Sequence, residues 1–161
     1  MSSQGVIIRP ARWPEDAVII VALFREYQGW LDEAVCFHDF EAELSNLPGA
    51  YSEPSGCLLI ARCAQDILGF VGMTSFDEVE NICEMKRLYV LPEARGRGIG
   101  RALSVAIVDF GRKAGYRRVR LETLKRLEAA RSIYAGLGFR DMGNRVEGDT
   151  ESPMVMALDL D

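Results

Sequence analysis

The feature that most constrains the fold lies between residues 82 and 123, where the sequence predicts a strand, a loop, a helix and a second strand. Ile82 to Val90 is the first strand, and the loop that follows is rich in glycine. A helix over residues 98–114 then places its apolar side chains three and four positions apart, on one face. Because a helical crossover joins the two strands, we expect the strand at 119–123 to run parallel to the first.

Short connections elsewhere predict a mostly antiparallel sheet, since three apolar strands follow one another directly before the loop. The predicted order is β-α-α-β-β-β-α-β-α-β-β, an α+β fold with a mixed sheet and helices on both faces. In chain order, the predicted segments are a strand at 6–9, a helix with Pro14 in its first turn, a helix around 40–47, strands at 57–62, 67–76 and 82–90, a helix at 98–114, a strand at 119–123, a helix at 128–137, and strands at 139–146 and 153–158.

Length and composition favour one domain over residues 1–161, because 161 residues with 48 % apolar content can bury one core. No apolar run approaches the ~18 residues of a membrane span, and the N-terminus lacks a secretion signal, so a cytoplasmic location is expected. The net charge of −5 disfavours broad nucleic-acid binding. The four cysteines show no C-x-x-C spacing, and no metal site is expected.

The loop that opens the long helix concentrates glycine and arginine in the run Arg95-Gly96-Arg97-Gly98-Ile99-Gly100-Arg101. Glycine lets the main chain approach an anion closely, and the N–H groups of a helix N-terminus favour negative charge. Arginine forks onto phosphate oxygens. The run therefore predicts a pyrophosphate cradle. It lacks the Gly-Lys-Ser/Thr of a nucleoside-triphosphate loop, and Arg101 stands where a dinucleotide motif needs its third glycine.

The spacing Arg95-x-x-Gly98-x-Gly100 resembles the coenzyme A loop of the GNAT N-acetyltransferase superfamily. The resemblance extends to the strand at 84–90, to the run from Tyr134 to Phe139, and to the order of elements over nearly the whole chain. It implies an enzyme that transfers an acetyl group directly from acetyl-CoA, its co-substrate, to a primary amine of a small molecule or peptide. It also implies that the two central parallel strands splay apart, and homodimers are frequent in that superfamily.

Two residues are candidates for the proton transfers that amine acylation needs, because a lysine-like amine with a pKa of ~10.4 is mostly protonated at neutral pH. Glu84 stands where GNAT enzymes with a strand glutamate carry their base, eleven residues before Arg95. Tyr134 stands where the resemblance implies a phenol that protonates the departing thiolate. Strand alternation predicts that Glu84 shares one face with Lys86, Leu88 and Val90, and that Met85, Arg87 and Tyr89 share the other.

The resemblance also implies the residues that hold the cofactor and the acceptor. Expected at the cofactor are Leu88, Tyr89, Val90, Arg95, Gly96, Arg97, Gly98, Ile99, Gly100 and Arg101, the strand residues through their main chain. Expected at the acceptor entrance are Trp30 and His38, with Phe37, Tyr51 and Arg145 as further candidates.

Three alternatives remain open on the sequence. Cys83 is a rival nucleophile, although a packing role suits it better because it has opposite strand parity to Glu84 and no histidine beside it. A non-catalytic acyl-CoA sensor would keep the loop without needing the two catalytic candidates. A small RNA-binding protein would use Arg117, Arg118 and Arg120.

Overall fold

The predicted order of elements is confirmed by a computed structural model, which describes residues 5–32 and 39–160. The elements are β1 (Val6–Pro10), α1 (Ala17–Leu31), α2 (Phe40–Ser45), β2 (Cys57–Cys63), β3 (Asp66–Asp77), β4 (Ile82–Val90), α3 (Ile99–Lys113), β5 (Arg118–Thr123), α4 (Glu128–Gly136), β6 (Arg140–Asn144) and β7 (Met154–Asp159). Short 3₁₀ turns lie at Gly49–Tyr51 and Pro92–Ala94.

All seven strands of the described chain join one sheet in the order β1-β2-β3-β4-β5-β7-β6. Only the β4–β5 pair is parallel, as the helical crossover through α3 requires. Helices cover both faces, and each face has its own core. One core lies under α3 and α4 and includes Leu103, Ile107 and Val119. The other lies under α1 and α2 and includes Phe24 and Phe70. No helix within the described ranges is long and apolar enough to cross a membrane.

The start of α1 differs from the prediction. The helix begins at Ala17, so Pro14 lies before it rather than in its first turn. The carboxylate of Asp16 accepts hydrogen bonds from the Arg9 guanidinium, at 2.9 Å, and from the main-chain N–H of Arg12, at 2.7 Å. These bonds close residues 12–16 into a turn, and the helix can begin only after it.

A bulge interrupts β4. Phe70 pairs with Tyr89 but Gly72 pairs with Lys86, so β4 carries one more residue than β3 over this stretch, and Arg87 adopts a left-handed φ of 63°. Met85 therefore packs in the core under α3, whereas Tyr89 packs in the core under α1. Leu88 and Val90 pack against the α3 side. The predicted alternation was wrong beyond Lys86, because the extra residue exchanges the two faces of the strand.

The central parallel strands separate as expected. β4 and β5 pair over only three positions, ending at Glu84 and Arg120. Beyond that point β4 continues to Val90 and β5 to Thr123, with no further pair between them in the described chain. Main-chain groups of β4 on this side therefore border an opening rather than a neighbouring strand.

Candidate active site

The loop between β4 and α3 has the geometry of an anion cradle. Gly96 and Gly98 both adopt left-handed φ values, 82° and 76°, which other residues adopt only at a cost. Gly98 is the N-cap of α3, and its carbonyl accepts the first helical hydrogen bond, from Ala102 at 3.0 Å. The N–H groups of the first turn have no acceptor within the helix, so they are available to a ligand in front of it.

A groove of about 570 Å³ runs in front of this helix N-terminus, and we call it the loop groove. Nine of the ten predicted cofactor residues line it: Leu88, Tyr89, Val90, Arg95, Gly96, Gly98, Ile99, Gly100 and Arg101. Arg97 is the one that does not. The facing wall comes from Arg126 and the start of α4, including Ala130 and Ile133, which the sequence reasoning missed. The sequence could have indicated these residues through the junction at 123–128 between a strand and a helix. That junction places a second helix N-terminus beside the opening.

Arg95 forms part of the groove wall through its own contacts. Its Nε donates to the carbonyl of Val90 at 3.0 Å. The guanidinium lies 4.8 Å from the ring centroid of Trp30 and 5.6 Å from that of Tyr89. The Tyr89 hydroxyl in turn donates to Glu26 on α1, at 2.8 Å. Arg95 thus connects the end of β4 to α1 and fixes the aromatic side of the groove.

A second cavity, of about 430 Å³, opens where β4 and β5 separate, and we call it the sheet cavity. Both predicted catalytic residues, Glu84 and Tyr134, line it. The sheet cavity and the loop groove share four wall residues: Trp30, Leu88, Leu127 and Ala130. The two depressions therefore lie next to each other, with these four residues in their common wall.

Glu84 is the first of three ion-paired side chains that extend from β4 to β5. Its carboxylate accepts a hydrogen bond from the Nη1 of Arg120, its partner in the parallel pair. The same nitrogen lies 3.2 Å from Glu122, and the Arg120 guanidinium is 4.1 Å from the ring centroid of Phe76. Burial raises the pKa of Glu84, although the positive charges of Lys86 and Arg120 oppose it. Glu84 is therefore an ion-paired carboxylate that also lines the sheet cavity.

Tyr134 is buried between α4 and the sheet, where its ring lies 5.8 Å from that of Phe139. Burial raises its pKa well above the usual value for a tyrosine, so the phenol keeps its proton throughout the neutral range. Among the described residues its hydroxyl has no hydrogen-bond partner. A protonated phenol that lines the cavity is available as a hydrogen-bond donor.

Cys83 is fully buried in the core under α3 and lines neither the loop groove nor the sheet cavity. Its thiol lies 3.6 Å from the carbonyl of Arg118, and burial raises its pKa to about 12. A thiol in this state is a poor nucleophile, which agrees with the expected packing role.

The acceptor candidates have different outcomes. Trp30 lines both depressions, and Arg145 lines the sheet cavity. Tyr51 is buried away from the cavity, with its hydroxyl 2.7 Å from Glu43. His38 and Phe37 lie outside the described residues.

Lys86 and Glu122 also line the cavity, although the sequence did not mark them as site candidates. Strand alternation had placed Lys86 on the face of Glu84, and the same argument along β5 places Glu122 on the face of Arg120. The signal for both residues was therefore present in the sequence.

Two further observations concern metal binding and RNA binding, the other functions considered from the sequence. Within residues 5–32 and 39–160, no group of three or more potential ligand side chains could hold a metal ion. The arginines of the RNA-binding alternative are each paired with a carboxylate: Arg117 with Glu80, Arg118 with Asp159, and Arg120 with Glu84 and Glu122. They do not present a free basic face.

Known proteins share this architecture. The sequence model of the Acetyltransferase (GNAT) family matches residues 18–139. An uncharacterised N-acetyltransferase of Schizosaccharomyces pombe is 33 % identical over 141 residues, covering 87 % of this chain and 86 % of the relative. YjgM of Escherichia coli, also an uncharacterised N-acetyltransferase, is 29 % identical over 127 residues, covering 78 % of this chain and 75 % of the relative.

The structure of YncA from Salmonella typhimurium with its cofactor acetyl-CoA has the same fold, with a TM-score of 0.77 at 21 % sequence identity. The match covers 97 % of this chain and 94 % of that chain. The sheet with its splayed pair, the loop at a helix N-terminus and these relatives together define an acyltransferase. The chain belongs to the GNAT acetyltransferase family.

Proposed function

We propose that this chain transfers an acetyl group from acetyl-CoA directly to a primary amine of a small molecule or peptide. The observation that carries the proposal is that the loop groove, with its anion cradle, shares a wall with the sheet cavity, where Glu84 and Tyr134 lie. Acetyl-CoA matches that layout, because its pantetheine arm joins a diphosphate to the thioester.

The residues of the loop groove fit coenzyme A chemistry. The N–H groups around Gly98 and Gly100 would hold the diphosphate, and the arginines of the loop would neutralise it. The main chain of Leu88 to Val90, beyond the last β4–β5 pair, would bind the pantetheine amides as an added strand. The bound cofactor supplies the thioester that the amine attacks.

Glu84 and Tyr134 would then divide the proton transfers. Glu84, ionised, takes a proton from the ammonium of the acceptor, directly or through water, and so frees the lone pair that attacks. Tyr134 donates a proton or a hydrogen bond to the departing sulfur. The burial that raises the pKa of both groups suits these roles, because it makes the carboxylate a stronger base and keeps the phenol protonated.

The test is the release of free thiol from acetyl-CoA with a panel of amines, together with calorimetric titration of CoA. We expect turnover with at least one amine, and a loss of about a hundredfold in kcat for Tyr134→Phe with CoA binding retained. Tyr116→Phe, a change at a tyrosine that lines neither depression, is the matched control and should keep its rate.

Two results would count against the proposal. Tight CoA binding without turnover on any amine would favour the non-catalytic acyl-CoA sensor. An absence of CoA binding would remove the role of the loop groove altogether.

A further inference from the structure

The sheet cavity is lined by charged side chains of both signs, and their pairing decides what charge it offers to a ligand. Those that line it are Glu84, Lys86, Arg87, Glu122 and Arg145. Both carboxylates are already matched with arginine: Glu84 with Arg120, and Glu122 with Arg120 and Arg145. The Nε of Arg145 is 2.7 Å from Glu122. Each carboxylate that lines the cavity is therefore already ion-paired before a ligand binds.

Arg87 is neutralised from outside the cavity. Its guanidinium makes hydrogen bonds of 3.1 and 2.9 Å to the two oxygens of Glu43 on α2. It is 8 % exposed and lies 5.1 Å from the ring centroid of Phe40. These contacts fix the position of the Arg87 side chain. The carboxylate of Glu43 neutralises its charge before any ligand binds.

Lys86 is the cation that remains. Its ammonium has no carboxylate within ion-pair distance among the described residues, and it acts at longer range on Glu84 and Glu43, favouring the ionised form of each. It lines the sheet cavity on one side and the depression beside α2 on the other. Among the described residues the paired charges cancel, and the ammonium of Lys86 leaves their sum positive.

The geometry sets where that charge lies relative to the proposed base. Glu84 and Lys86 are two positions apart on β4, before the bulge, so their Cα atoms are about 6.6 Å apart on one face of the strand. The two side chains therefore lie side by side on the strand, where one small ligand that carries both an ammonium and a carboxylate can reach both. A polyamine would instead place a second cation beside Lys86, where like charges repel.

We infer that the acceptor is an amine that carries a carboxylate on the first or second carbon from the nitrogen, an α- or β-amino acid, and that Lys86 binds the carboxylate. The inference rests on the proposed function, since it names the substrate class of the same cavity. Lys86 is a specificity-determining residue in this scheme, while Glu84 keeps its role as base.

The experiment compares each α-amino acid and β-alanine with its own carboxamide, which has the same shape without the charge, and includes spermidine as a polyamine. We expect kcat/KM for the preferred amino acid to exceed that for its carboxamide by about tenfold, as for one charge-assisted hydrogen bond. Lys86→Met should lower the ratio of kcat/KM between the amino acid and its carboxamide about tenfold, through a higher KM for the amino acid. The ratio cancels the effect on Glu84, which loses a favourable positive charge in both reactions. Lys86→Arg should restore most of the preference.

Lys113→Met is the matched control, because Lys113 lies at the far end of α3 and pairs with Asp109. It should behave as the unaltered enzyme with every acceptor. Equal rates for amino acids and carboxamides, a preference for spermidine, or an equal effect of Lys86→Met on both members of a pair would overturn the inference while leaving the acetyltransfer intact. No turnover with any amine would instead reject the proposed function, and this inference with it.

Discussion

At the scale of single residues, Glu84 combines two properties that oppose each other in water. It is ion-paired with Arg120, which stabilises the carboxylate, and it is largely buried, which destabilises it. Burial prevails, and the pKa of Glu84 lies above its usual range. A carboxylate held in place by an arginine, yet more basic than usual, is better suited to take a proton than a solvated glutamate.

The pH dependence follows from that shift. Because the base must be ionised, kcat/KM should fall as the pH drops through the raised pKa of Glu84, at a higher pH than an ordinary glutamate would give. In Glu84→Gln we expect a loss of about a hundredfold at neutral pH, recovered at high pH where the amine is already free. A loss of the same size at every pH would remove Glu84 from the role of base.

At the scale of elements, the predictable and unpredictable parts of the fold separate clearly. Strand and helix order followed from apolar periodicity, and the start of α3 from its glycines. The bulge in β4 could not be predicted, because no glycine or proline marks it and its residue of positive φ is Arg87. The partner that holds Arg87 there, Glu43, is 44 residues away in sequence. Long-range pairing of this kind leaves no local signal.

The two ends of α3 allow a matched test of the anion cradle. Gly98, with φ of 76°, and Gly115, with φ of 91°, both leave open space around an added Cβ, so alanine should cost each variant about 1 kcal/mol through the backbone alone. Only Gly98 lines the loop groove. Gly98→Ala should therefore weaken CoA binding severalfold in calorimetry, and Gly115→Ala should not. Equal affinities for the two variants would contradict the cradle.

The contact between α2 and the bulge makes stability depend on pH. Burial would raise the pKa of Glu43, but the hydrogen bonds and charge of Arg87, with the Tyr51 hydroxyl, hold it below its usual value. A lowered pKa stabilises the fold above the pKa of the unfolded state, and that stabilisation is lost as the pH falls through the folded-state pKa.

Glu43→Gln should then lower the free energy of unfolding by about 2 kcal/mol at neutral pH, because it leaves Arg87 buried without its counter-charge. The difference from the unaltered chain should shrink below a pH of about 4.5, as urea unfolding would measure. Glu41→Gln, an exposed change on the same helix, should leave the transition midpoint where it was. A pH-independent difference for Glu43→Gln would contradict the assigned shift.

At the scale of the whole molecule, the site lies between the two layers of helices, where the sheet opens and the loop groove meets the sheet cavity. Nine of the ten residues predicted to hold the cofactor line one groove, because a glycine-rich loop is a local feature. Lys86 and Glu122 were not predicted to meet Trp30 and Arg145 in the sheet cavity, because the four residues come from separate elements or loops and meet only through the tertiary fold.

That arrangement predicts a ternary complex. Cofactor and acceptor can occupy the two depressions together, and Cys83 is buried on the α3 side of the sheet, away from both. Initial-rate plots should intersect, as sequential kinetics require, and Cys83→Ala should keep most of the activity at some cost in stability from the cavity it leaves. Parallel plots, or an acetylated cysteine found by mass spectrometry, would contradict direct transfer.

The extra residue at Arg87 also decides which side of the sheet each part of β4 faces. Upstream of it, Glu84 and Lys86 turn towards the layer of α1 and α2; downstream, Leu88 and Val90 turn towards the layer of α3. The even-numbered positions of one strand thus face opposite sides of the enzyme before and after the bulge. Without the bulge, regular alternation of the same sequence would place Leu88 and Val90 on the face of Lys86, in the layer of α1 and α2.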